Sequence, residues 1–114
     1  MKRGTIVLSP FPFTDLIGRK VRPALVVSRS DRSGSDVVLA FLTTYRGQSP
    51  LMPTDLLLLD TEPDFAQTGL KGSALLKLDK LVTVNTTILH GELGELPLAL
   101  LNEVNVRLRY ALDL

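Results

Sequence analysis

Three cations, Arg19, Lys20 and Arg22, lie directly before Pro23 and a strand-forming run, Ala24-Leu25-Val26-Val27-Ser28. Proline pushes the residue before it towards extended geometry, so Arg22 is expected at the mouth of a strand, on fixed backbone. A guanidinium held that way is a phosphate grip, with planar donors matched to paired oxygens. The same pattern also describes a solvated basic turn ahead of a core strand. Little else in the chain can do chemistry. Cysteine is absent and the one histidine is His90. That excludes disulfides, thiolate metal sites, a cysteine nucleophile and a zinc site built from several histidines. A Ser-His-Asp triad would have to use His90.

The 114 residues argue for one domain with one core, and 45% apolar content is enough to fill it. Net charge is +1, from 13 basic and 12 acidic residues, which does not describe a non-specific nucleic-acid coat. Any nucleic-acid site must be a local patch. The N-terminal region supplies one, with Lys2, Arg3, Arg19, Lys20, Arg22, Arg29 and Arg32 against Asp15 and Asp31. No apolar segment is long enough to span a bilayer and no signal-peptide core is present, so a soluble cytoplasmic protein is expected.

These side chains need a scaffold. Residues 5–8, 23–28, 37–43, 54–59 and 73–78 read as strands, and 81–87 as a sixth or as a continuation of the fifth. The second is apolar throughout, which fits a strand buried on both faces or in a small barrel. Residues 9–15 carry Pro10 and Pro12 and read as an extended loop whose phenylalanines pack down. Turns are expected at 31–36, 46–50 and 60–64, a tight connection at 69–72, and a turn region at 91–96. After Pro97, Leu101, Val104, Leu108 and Ala111 or Leu112 recur at steps of three and four, one apolar face of a helix. The sum is mainly β with a C-terminal α-helix, a small curled sheet or barrel.

In this order the blocks resemble the MazF/PemK family of toxin endoribonucleases. The N-terminal match runs through Arg3-Gly4-Thr5-Ile6-Val7-Leu8, Phe11-Pro12-Phe13-Thr14-Asp15 and Lys20-Val21-Arg22-Pro23-Ala24-Leu25-Val26-Val27-Ser28. Val37-Val38-Leu39-Ala40-Phe41-Leu42-Thr43 follows, then Gly69-Leu70-Lys71-Gly72-Ser73-Ala74-Leu75-Leu76-Lys77-Leu78-Asp79-Lys80-Leu81-Val82-Thr83, then the closing helix. The resemblance implies a single toxin domain over 1–114, an SH3-like barrel with a terminal helix, and a homodimer. It implies a metal-independent enzyme without cofactors that cleaves single-stranded RNA, mostly messenger RNA, at short sequences. It also implies a cognate antitoxin that lays a flexible segment over the RNA groove.

Metal-free cleavage uses the RNA's own 2′-hydroxyl as nucleophile on the adjacent phosphorus. The enzyme must withdraw a proton, stabilise charge on the phosphoryl oxygens and protonate the leaving 5′-oxygen. By resemblance, Arg22 binds the phosphate and Thr43 bonds a non-bridging oxygen, with Thr44 its nearest alternative. Asp79 falls where some members carry an acidic residue implicated in catalysis, and beside Arg22 and Lys77 it is expected to stay ionised and to act as a base. Lys77 falls where those members carry a catalytic arginine; lysine keeps the charge and loses the bidentate fork. Lys20, Thr14, Asp15, Thr44, Ser73 and Lys80 are expected to contact RNA, and Lys80 replaces a glutamine of other members. Phe11 and Phe13 either hold unstacked bases or fill the core. The alternative is a weakened or inactive member serving as an RNA- or antitoxin-binding module, and Lys77 is what keeps it open.

Overall fold

The computed structural model describes residues 1–12, 20–47 and 51–114. Six strands form one sheet: β1 (Thr5–Pro10), β2 (Val21–Val26), β3 (Asp36–Thr44), β4 (Asp55–Leu58), β5 (Ala74–Asn85) and β6 (Gly91–Glu95). Their order is β4-β5-β3-β2-β1-β6, and every neighbouring pair is antiparallel. Among the described residues there is one α-helix, α1 (Leu101–Leu112), at the C-terminal end. Among the described residues no helix is long and apolar enough to cross a membrane.

The unbroken apolar run of β2 has its explanation in two cores, one on each face of the curled sheet. Ile6, Leu25, Ala40, Leu42, Leu56, Leu76 and Leu78 pack on one face with Val104 of α1. Val7, Ala24, Val26, Val37, Leu39 and Phe41 pack on the other, with Phe11, Val82 and Val84 against them. Helix α1 turns Leu101, Val104, Leu108 and Ala111 towards the protein, while Leu112 stands 53% exposed. Full burial of a side chain such as Val104 contributes about 1.5–3 kcal/mol. Arg3 pins the helix to the sheet by donating from Nε to the Val27 carbonyl (3.0 Å) and from Nη2 to Asn105 Oδ1.

Of the two readings of residues 81–87, the continuation of the fifth strand is the one found: β5 runs on through a corner to Asn85. Ala40 pairs with Leu81 and the next residue, Phe41, pairs with Lys77. Leu78, Asp79 and Lys80 are therefore surplus on β5, a bulge that bends the strand around the barrel. The expected turn at 91–96 is instead β6, paired to β1 at the sheet edge. Its two glycines and two glutamates have poor strand propensity. Gly94 is there for close approach: a Cβ on it would come within 2.2 Å of the Gln67 carbonyl oxygen. Gly69, at φ 71°, meets the Leu93 carbonyl oxygen in the same way at 2.0 Å. These contacts let the 3-10 turn Phe65–Thr68 lie directly on β6 and help close the half-barrel.

Candidate active site

The site begins at Pro23. Val27 donates to the Val38 carbonyl (2.9 Å), and Leu25 pairs with Ala40 in the same register. The next hydrogen-bonded pair along β2 and β3 would be Pro23 with Leu42. Proline has no N–H to give, so the ladder ends at Ala24↔Phe41. One step further the same register sets Arg22 opposite Thr43. The two strands part there, between a cation and a hydroxyl.

A groove of about 540 Å³ opens at that point, lined by Leu8, Arg22, Pro23, Leu42, Thr43, Thr44, Leu93 and the connection Gly69–Ala74. Arg22 keeps its pairing to β1 through Ser9, which is fully buried. Its guanidinium carbon lies 4.9 Å from the centroid of the Phe11 ring, and Phe11 stands edge-on to Phe41 at 5.1 Å and 82°. This stacking contributes about 0.5–1 kcal/mol and aims the guanidinium. Nε is buried, and among the described residues it makes no hydrogen bond and the guanidinium has no ion-pair partner. An orphaned buried donor is costly unless a ligand supplies its acceptor. Ser73 holds the facing wall: its Oγ accepts from the Asp60 amide (2.9 Å) and its carbonyl accepts from the Tyr45 amide (2.9 Å).

The structure thus brings Arg22, Thr43, Thr44 and Ser73 together. Lys77 it does not. Lys77 shares a face with Phe41 on β5, but its Nζ is 2.7 Å from Asp55 Oδ1, and the Asp55 side chain is 2% exposed. Asp55 Oδ2 accepts the Met52 amide (2.9 Å). The second catalytic cation expected beside Arg22 is instead a clip between β5 and the entry to β4. Asp79 and Lys80 lie in the β5 bulge, exposed, and neither lines the groove. Lys20 is exposed just ahead of β2, its carbonyl accepting the Phe11 amide (2.9 Å). Thr14 and Asp15, with Phe13, lie outside the described residues. His90 is exposed, and its backbone N–H donates to the Leu8 carbonyl (2.8 Å).

Sequence reasoning missed Asp55 and the platform role of Phe11. Asp55 becomes a partner of Lys77 only once β4 and β5 are in register, a pairing across 22 residues of sequence (77 − 55). Phe11 was legible as groove or core residue; in the structure it packs against the core and carries the Arg22 guanidinium on its ring.

A curled antiparallel half-barrel with a terminal helix and an arginine-lined groove defines a small β toxin fold. The family model for the PemK-like, MazF-like toxin of type II toxin-antitoxin systems matches residues 2–112, and the chain belongs to that family. Solved structures agree. A mycobacterial endoribonuclease in complex with its cognate antitoxin is 30% identical, with a TM-score of 0.73 covering 98% of this chain and 94% of that one. A second mycobacterial endoribonuclease is 28% identical, with a TM-score of 0.69 covering 98% and 90%. The Mycobacterium tuberculosis toxin MazF-mt6, 21% identical with a TM-score of 0.72 over 98% of each chain, shares the fold. No curated protein matches the chain.

Proposed function

We propose that the chain is an endoribonuclease toxin that cuts single-stranded RNA at the groove beside Arg22. The observation that carries this reading is the Arg22 guanidinium, stacked on Phe11, with a buried Nε that has no acceptor among the described residues and Thr43 opposite. An RNA phosphate supplies that acceptor. The 2′-oxygen attacks phosphorus as its proton passes to water, the bond to the 5′-oxygen breaks as that oxygen takes a proton from water, and a 2′,3′-cyclic phosphate and a 5′-hydroxyl result. Arg22 stabilises the charge on the crowded phosphorus, and the Thr43 hydroxyl donates to a non-bridging oxygen. A fixed charged donor such as the Arg22 guanidinium contributes on the order of 3 kcal/mol, and the neutral Thr43 hydroxyl about half that. Thr44, Ser73 and Lys71 contact the flanking backbone. The mycobacterial relative bound to its antitoxin supports an antitoxin for this chain, covering the same groove, and a homodimer is the expected assembly.

The engagement of Lys77 with Asp55 favours a second reading, a groove that binds RNA or antitoxin without turnover. One assay separates the two. Purified protein with EDTA is incubated with a mixed-sequence RNA, beside Arg22→Ala. Cleavage by the parent to cyclic-phosphate ends, lost in the variant, is expected. Binding by the parent at low salt with no cleavage would leave the second reading standing and remove the first.

A further inference from the structure

A second groove runs along the open edge of the sheet, sharing no lining residue with the groove at Arg22. It measures about 270 Å³, and its floor includes Leu57, Leu59, Pro63, Phe65, Pro97 and Leu100. Its rim carries Glu62 and Asp64, with Asp60 just before them on the same turn. Among the described residues none of these three carboxylates has a cationic partner.

The strand beside this groove is unfinished. Among the described residues β4 is at the end of the sheet and pairs with β5 alone. The Thr54 carbonyl accepts from Leu78 (3.0 Å), while the Asp55 amide turns back to the Met52 carbonyl (2.9 Å). Antiparallel bonding alternates along a strand, so Leu56 and Leu58 bond to β5 and the N–H and C=O of Leu57 point outward. An edge that presents unpaired backbone groups is a template for another strand. Here the template adjoins an apolar floor and an uncompensated negative rim.

We infer that the β4 edge is a docking site for an extended peptide segment of a partner protein, one in which lysine or arginine alternates with aliphatic side chains. Such a segment adds as a strand against Leu57, lays its aliphatic side chains on the floor and sets its cations over Glu62 and Asp64. Charge sorts the two grooves. The one at Arg22 attracts anionic backbone; the one at β4 attracts a cationic strand. The inference does not depend on RNA cleavage.

The test uses the whole chain, labelled with ¹⁵N, and the probe acetyl-Lys-Val-Lys-Val-Lys-Val-amide. Saturable shifts of the Leu57 and Leu59 amides are expected, and the matching Glu-Val peptide is expected to leave them unmoved. Affinity should fall about tenfold or more for the same probe N-methylated throughout, which cannot add as a strand. It should fall about as far for the double variant Glu62→Lys, Asp64→Lys, whose exposed substitutions leave the fold intact by thermal melt. Equal affinity for the N-methylated probe, or for the charge-reversed protein, overturns the inference. So does binding that spares Leu57, or no saturation at all. Shifts at Leu57 that grow with protein concentration without peptide would instead assign the edge to a second copy of the chain.

Discussion

Arg22 and Lys77 are two cations on one face of one sheet, separated by β3, and their surroundings are opposite. Lys77 is spent on Asp55: its ammonium is 2.7 Å from a carboxylate that is 2% exposed and whose other oxygen is held by the Met52 amide. Arg22 is aimed by an aromatic ring and left with a buried nitrogen that bonds nothing among the described residues. A charge is available to a substrate only where the protein has not already neutralised it. The two residues look alike in sequence, each in a strand rich in aliphatic residues. Their difference lies in what the neighbouring strand places opposite.

The largest expected effect breaks the open side of this comparison. Arg22→Ala should lower RNA cleavage by about a hundred- to a thousandfold, read as initial rates on a defined RNA, with a thermal melt close to that of the parent. The closed side should fail in stability. Asp55→Ala leaves the Lys77 ammonium, 21% exposed, without its partner and frees the Met52 amide. A loss of about 3 kcal/mol in urea unfolding is expected, at the low end for a broken buried pair because of that residual exposure. Removing both charges together, Asp55→Leu with Lys77→Met, should recover to within about 1 kcal/mol of the parent, since a buried ion pair gains little over apolar packing. The smallest effect sharpens the open side. Thr43→Val keeps the shape and removes one hydroxyl, and cleavage should drop about tenfold, the worth of one hydrogen bond to a charged group.

Much of this was legible from residue patterns. The β-branched and aliphatic runs mark β1 to β5, and the spacing of Leu101, Val104 and Leu108 marks α1. The Arg22-Pro23 pair was legible for a reason stronger than extended geometry. Pro23 faces β3 in the ladder, and its missing N–H is what parts the strands beside Thr43. What was not legible depends on distant partners. β6 is a strand because β1 needs a neighbour and because Gly94 admits the backbone at Gln67, not because its own residues favour strand. The corner at 78–80 shows only in the register of β5 against β3. Asp55 looked like the start of a strand, and nothing local says that it will meet Lys77. For the same reason the β4 edge, with its outward Leu57 and its acidic turn, emerges only after the strand order is known.

The contrast between the two cations reduces to one paired measurement. Arg22→Ala and the double variant Asp55→Leu, Lys77→Met are assayed side by side for cyclic-phosphate release from the same RNA in EDTA, each checked for a folded melt. The expected result is cleavage lowered about a hundredfold or more in Arg22→Ala and retained within about threefold in the double variant, since Lys77 lies outside the groove. Cleavage that survives loss of Arg22 and disappears with Lys77 in a folded protein would contradict the account.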